Sequence, residues 1–329
     1  KEKYRQWLTF ADPDTKAELE SLTDEKEIED RFYKDLAFGT GGLRGIMGAG
    51  SNRMNRYTVG KATLGLANYL KSTGKADLKV AIAYDSRNNS ADFAKTAAGI
   101  FANCGLQVYL YDRLVPVPVL SFTTRYLHCD AGVMITASHN PKEYNGYKVY
   151  WSDGAQLPPQ HAAAIAKNME RLDIFNDIQR MDFDDAVRQG LVEFMGAETD
   201  EAFLSNVLRQ PIDPDVVRRV ADRFKIVYTP FHGAGWHLVP EALHRLGMTQ
   251  VIPVKEQMVL DGTFPTVESP NPENPEGFYL AIGAQKSAPI GVPGEELSGV
   301  YGGVDFLRKV NLGKKPRIGK KCAVIGGGN

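Results

Sequence analysis

Ser138 and Lys148 are the first pair of residues in this sequence that could do chemistry together. An apolar run, Ala131–Thr136, leads straight into Ala137-Ser138-His139-Asn140-Pro141. In open α/β sheets, ligands collect beyond the carboxyl ends of strands, so a hydroxyl is offered there with a histidine beside it. Asn145-Gly146 reads as a hairpin turn that brings Lys148 back toward the serine. A hydroxyl to carry a group and a cation to neutralise it suit phosphoryl transfer. The same Ser-His-Asn-Pro run also makes a good turn with no chemistry attached.

Three more loops carry candidate residues. In Gly39-Thr40-Gly41-Gly42-Leu43-Arg44-Gly45, the glycines allow backbone to approach an anion and Arg44 offers a planar fork for phosphate. No Gly-Lys-Ser/Thr follows, so this is not a Walker loop, and a plain flexible loop is the other reading. Asp85-Ser86-Arg87 sits at a strand end, where an Asp–Arg pair is more often structural. His232-Gly233-Ala234-Gly235 ends another strand, and its glycines suggest a ligand or a neighbouring domain close by. Asp182, Asp184 and Asp185 could suggest Mg²⁺, but they precede a helix-like run and read as a helix start. His128, His161, His237 and His244 have no partner at useful spacing and are given no role.

The elements that must position these loops alternate between strand and helix. After a polar start with helix-like stretches (Lys1–Asp35), a glycine-rich loop spans Phe38–Ser51. Helices are expected at Thr58–Leu70, stopped by Gly74, and from a Ser90 cap through Asn103, stopped by Gly105. Others are expected near Leu120–Leu127 and at Gln160–Leu172. Strands are expected at Leu78–Tyr84, Leu106–Tyr111, Ala131–Thr136 and Tyr147–Trp151. A second unit begins near Asp200, with helices at Phe203–Arg209, Pro214–Phe224 and Leu238–Leu246, and strands at Phe224–Thr229 and Val251–Val254. This alternation predicts an α/β fold: a mainly parallel or mixed sheet with helices on both faces.

The chain has 329 residues, enough for about two domains. With 43% hydrophobic and 24% charged residues it is globular, not disordered, collagen-like or coiled coil. A net charge of −1 gives no field for nucleic acid, and no apolar run is long enough to span a membrane. Cys104, Cys129 and Cys322 form neither a zinc spacing nor a disulfide framework, which fits a reducing, cytoplasmic setting. No signal peptide is read, and a start at Lys1 rather than Met suggests missing leading residues. The charge is uneven. Residues 283–329 hold eight Lys and Arg against three Glu and Asp, and 11 of the 32 glycines.

Taken together, the motifs resemble the α-D-phosphohexomutase superfamily over residues 1–282. Thr136–Tyr150, TASHNPKEYNGYKVY, is similar to its phosphoserine loop. Phe38–Asn55 is similar to the N-terminal loop of the phosphoglucomutase and phosphopentomutase branch. Asp85-Ser86-Arg87, the Thr229–Gly235 run and Asn271–Gly277 follow in matching order.

The resemblance implies an isomerase with four domains around a cleft, of which this chain would hold the first (1–195) and a truncated second (196–282). Ser138, phosphorylated, would give its phosphoryl group to a hexose monophosphate, form a 1,6-bisphosphate, and take back the other group, moving phosphate between C1 and C6. Ser138, Lys148, Arg44 and His139 would be catalytic; Thr40, Gly41, Arg87 and His232 would meet substrate. Mg²⁺ would bind through the Ser138 phosphate, and a glucose 1,6-bisphosphate type of molecule would activate. Hexose or pentose phosphates would be the ligands, without nucleic acid or membrane.

The sequence departs from the family in lacking the Asp-Gly-Asp-Gly-Asp-Arg metal loop expected after a helix near Pro275. Impaired turnover, or a non-catalytic sugar-phosphate-binding remnant, is therefore expected. Residues 283–329 instead resemble a fragment of NAD(P)H oxidoreductases of the glutamate synthase small-subunit type, ending in Gly326-Gly327-Gly328. That implies a chimeric chain, or an oxidoreductase fragment with an incomplete dinucleotide site.

Overall fold

The computed structural model describes residues 1–267 and 269–274. Residues 275–282 of the expected second domain, the expected fragment 283–329 and Cys322 lie outside the described residues. The chain divides into two compact units. The first comprises Lys1–Ser138 and Glu143–Phe203; the second takes His139–Lys142 and residues from Leu204 on.

The first unit opens with three short helices: α1 (Glu2–Phe10), α2 (Pro13–Glu20) and α3 (Glu25–Phe32). Trp7 and Phe32 meet edge to face at 5.9 Å, and Trp7 meets Phe175 at 5.5 Å, making a small aromatic core. β1 (Gly42–Ile46), α4 (Arg56–Ser72), β2 (Lys79–Tyr84), α5 (Ser90–Asn103) and β3 (Gln107–Tyr111) follow. Then come α6 (Val117–Tyr126), β4 (Ala131–Ile135), β5 (Tyr144–Trp151), α7 (Pro159–Glu170), α8 (Phe183–Arg188), β6 (Val192–Met195) and α9 (Ala197–Val207).

The sheet order is β1-β5-β4-β2-β3-β6. β4, β2, β3 and β6 run parallel; β5 is antiparallel to β4 and to β1. This is the expected mixed sheet flanked by helices. On one face Val80, Ile82, Val133, Ile135 and Tyr147 pack with residues of α4, α5 and α7. On the other lies α6, so close that a Cβ on Gly132 would come within 2.4 Å of Thr124 Oγ1. Alternation along β4 sends successive side chains to opposite faces.

Several expectations change. The loop at 38–51 contains β1, because pairing with β5 decides its conformation rather than its glycine-rich composition. Asn145-Gly146 is not a turn: both residues lie inside β5, opposite Gly45 and Arg44, and the connection from β4 spans residues 136–143. Gly146 is needed because a Cβ there would sit 2.5 Å from Thr136 O and 3.0 Å from Leu43 O, with a strand on either side. Ser90 is the first residue of α5 rather than its cap; Asn89 occupies the cap position with φ 64°. Asn55 caps α4 with a full capping box to Thr58, so that helix starts two residues before the expected Thr58. Asp182 accepts hydrogen bonds from the Asp184 and Asp185 amides, as the helix-start reading expects.

In the second unit, α10 (Pro214–Val220), β7 (Ile226–Tyr228), α11 (Leu238–Arg245) and β8 (Val251–Pro253) follow. β7 and β8 pair in parallel, Ile226 opposite Val251. Among the described residues no helix is long and apolar enough to cross a membrane.

Candidate functional site

Ser138 lies three residues past β4 and adopts φ 57°, a left-handed conformation uncommon for a residue with a side chain. Its neighbours hold it there. The Ser138 amide donates to Thr136 Oγ1 (2.9 Å), and Thr136 donates to Asp85 Oδ2 (2.5 Å). The Ser138 carbonyl accepts from Arg87 Nη2 (2.8 Å). Asp85 stands at the end of β2, parallel partner of β4, so adjacent strand ends bring the three together. Its carboxylate also accepts from Ser90 Oγ (2.8 Å) and the Arg87 amide (3.0 Å), and faces Arg87 Nε at 3.4 Å. Burial pushes the Asp85 carboxyl up, while Arg87 and the hydrogen bonds pull the other way.

Arg44 and Lys148 sit on adjacent strands. Lys148 lies opposite Gly42 and Arg44 opposite Gly146, so the two cations share a face on a diagonal with glycines between them. Arg44 is exposed and Lys148 half-buried. Burial first, then the charges of Arg44 and Arg87, hold the Lys148 amine below its usual range against the pull of Asp85. A lysine so displaced exchanges a proton more readily near neutral pH.

Thr40 and Gly41 form the tip of a tight turn closed by paired hydrogen bonds between Gly39 and Gly42 (2.9 and 3.2 Å). Gly41 takes φ 95°, and its carbonyl accepts from the Val149 amide (2.8 Å), fastening the turn to β5. Thr40 is exposed, as is His139.

Arg87 and His232, both expected to meet substrate, are held by partners within the fold. Arg87 is buried, and its guanidinium donates to the carbonyls of Ser138 and of Tyr144 (3.0 Å). His232 is buried with both ring nitrogens engaged: Nδ1 on Val259 O (2.7 Å) and Nε2 on Thr266 Oγ1 (2.8 Å). A carbonyl can only accept, so Nδ1 donates to it. The ring therefore holds its own loop. His161 also gains a partner unseen in the sequence: Tyr69 OH lies 2.6 Å from Nδ1, and the ring stacks on Trp151 at 4.3 Å.

From sequence, Thr136 is given no role, Asn145 is placed in a turn and Ser90 is given to a helix cap. A hydroxyl two residues before a strand-end serine is the signal that could have found Thr136, because such side chains bond backbone amides two residues on.

Ser138 was also expected to hold Mg²⁺ through its phosphate. Among the described residues no group of three or more His, Cys, Asp or Glu side chains is arranged to hold a metal ion, and Asp182 is spent on a helix cap. The described residues do not supply a metal site.

Known proteins share this arrangement of strands and loops. Residues 35–174 match the family model for phosphoglucomutase/phosphomannomutase, alpha/beta/alpha domain I, and residues 201–292 match that for domain II. The chain belongs to the phosphoglucomutase/phosphomannomutase family. A phosphoglucomutase of Staphylococcus haemolyticus is 37% identical over 280 residues, covering 84% of this chain and 49% of that protein. A "Probable phosphoribomutase" of Schizosaccharomyces pombe is 37% identical over 276 residues, covering 80% of this chain and 45% of that protein. Among solved structures, a "putative phosphomannomutase" from Thermus thermophilus aligns with a TM-score of 0.63 at 25% identity, covering 76% of this chain and 52% of that one. The chain spans about half the length of the relatives it matches.

Proposed function

We propose that this chain is part of a phosphohexomutase in which Ser138 carries the phosphoryl group. The observation that supports this most is the left-handed Ser138 beyond the end of β4, its amide and carbonyl both held by neighbours, with Lys148 on the adjacent β5 and Arg44 on β1 beyond it. A sugar hydroxyl would attack phosphorus on phospho-Ser138. The Oγ–P bond would break, a sugar O–P bond would form, and the hydroxyl proton would pass to Ser138 Oγ. Lys148, with its lowered proton affinity, suits a part in that proton movement. Arg44 would neutralise the transferring group, and His139 would flank it. Reversal with the other phosphate of the bisphosphate moves phosphate between C1 and C6. Mg²⁺ goes with the family.

Residues 1–195 and 196–282 are assigned as the first and second domains of this fold. The substrate is a hexose phosphate, with pentose phosphate as the second reading because relatives named for both sugars match at the same 37% identity. The free thiols of Cys104 and Cys129 suit a cytoplasmic setting. The test is the half-reaction. Incubated with a hexose 1,6-bisphosphate, the chain should gain one phosphate on Ser138 by mass spectrometry, and Ser138→Ala should gain none. A phosphate-free Ser138 would leave only a sugar-phosphate-binding fold.

A further inference from the structure

We infer that Asp85, acting through Thr136 and Arg87, is a positioning residue that fixes Ser138 relative to Lys148 without touching substrate; this rests on the reading of Ser138 as phosphoryl carrier. The connection carrying Ser138 spans residues 136–143 and holds a residue at φ 57°. Such a conformation costs about 1–3 kcal/mol and persists only where surroundings over-determine it.

Both ends of the connection lead to Asp85 and Arg87. At the near end, Thr136 takes the Ser138 amide and gives its own proton to Asp85 Oδ2. At the far end, Asn145 Nδ2 donates to Ser90 Oγ (2.9 Å), and Ser90 donates to Asp85 Oδ1 (2.8 Å). Asn145 Oδ1 accepts from the Gly146 amide (2.7 Å), two residues before Lys148. Arg87 staples the two ends directly, one Nη on Ser138 O and the other on Tyr144 O.

Thr136 and Ser90 each accept one hydrogen bond and donate their own proton to Asp85. With the Arg87 amide, Asp85 thus accepts from three hydrogen-bond donors and faces a guanidinium. Asparagine has the same shape but would turn an NH₂ group onto a donor. Phosphoryl transfer needs the attacking and leaving oxygens roughly in line, so a misaimed Ser138 loses rate rather than affinity.

The test follows phosphate transfer from a hexose 1,6-bisphosphate to Ser138 in the full chain, at rising donor concentration. The Oγ–P bond forms, the donor ester bond breaks, and the Oγ proton ends on the departing sugar oxygen. Asp85→Asn and Thr136→Val should lower the limiting rate by about 10–100-fold at unchanged half-saturation, while Thr136→Ser stays within about threefold of wild type. Hydrogen exchange at the Ser138 amide reads the frame without chemistry: slow in wild type and Thr136→Ser, and at least about tenfold faster in folded Thr136→Val. Wild-type rates and exchange in Thr136→Val, or equal losses in Thr136→Ser and Thr136→Val, would overturn the proposal. If wild type takes no phosphate while exchange behaves as expected, the carrier reading falls and the frame stands.

Discussion

After β4 the chain turns through Thr136-Ala137-Ser138; after β7 it turns through Thr229-Pro230-Phe231. In both, the threonine hydroxyl accepts the amide two residues on, Ser138 at 2.9 Å and Phe231 at 3.0 Å, and that residue has positive φ. Both threonines donate to a side chain that follows the adjacent parallel strand: Thr136 to Asp85, one residue past β2, and Thr229 to Gln257 Oε1 at 2.6 Å, four residues past β8. The anchors differ in charge. Gln257 is neutral and satisfied by Thr266, whereas Asp85 is a carboxylate paired with a buried Arg87. A neutral anchor is enough to hold a left-handed turn. A buried ion pair costs desolvation that the turn alone does not require. What Arg87 adds is a second carbonyl on β5, which joins the Ser138 turn to the strand of Lys148. The His232 turn closes on its own unit, through Val259 and Thr266.

The widest separation is expected from deleting each anchor. Asp85→Ala strands the Arg87 charge and should destabilise the first unit by about 3–5 kcal/mol. Gln257→Ala should cost the second about 1–3 kcal/mol. Denaturant unfolding separates them, because Trp7 and Trp151 report on the first unit and Trp236 on the second. Equal losses would erase the distinction between charged and neutral anchors.

Next comes the hydroxyl itself. Thr136→Val removes a hydrogen bond to a charged group, worth about 1.5–3 kcal/mol, and Thr229→Val one to a neutral amide, worth about 0.5–1.5 kcal/mol. A reversed order in the same unfolding experiment would mean that Asp85 is not ionised in the fold.

The anchors should also separate with pH. Because burial raises the folded carboxyl of Asp85, the folded state holds its proton to higher pH than the unfolded chain does. Its contribution is thus greatest below the ordinary carboxylate value and falls as pH rises through the raised one. Asp85→Asn should flatten that slope, seen as urea midpoints against pH, and Gln257→Ala should leave it unchanged. Asp12 acts in a different window. Burial opposes its ionisation, but Thr15, Tyr57 and Arg56 hold its carboxyl at about 2, so its stabilisation is lost only as pH falls from 3.8 towards that value.

The smallest effect concerns the cations beside the first turn. Arg44→Gln should move the Lys148 amine back up towards its usual range, followed by NMR titration, with stability changed by no more than about 0.5 kcal/mol. No movement would mean that burial and Arg87, without Arg44, hold Lys148 down.

Much of this was legible in the residues. The β4 strand, the serine beyond it, the helix stops at Gly74 and Gly105 and the acidic cap at Asp182 follow from local rules of apolar patterning and chain termini. Arg44 and Lys148 could be named as cations, but their shared face depends on β1 pairing with β5, over a hundred residues apart in the chain. Asn145-Gly146 misled because a dipeptide favoured in turns also fits wherever a strand needs a side chain too small to clash. The internal partners of Arg87 and His232 were not legible, because residue type cannot show which way a polar group faces. By itself the sequence determined the order of elements, the family and the positions of the loops, since these rest on short-range propensity and motif. Only the tertiary structure decided which polar groups find partners within the frame. That depends on where each donor and acceptor finds its partner, a matter of strand register and burial rather than of spacing along the chain.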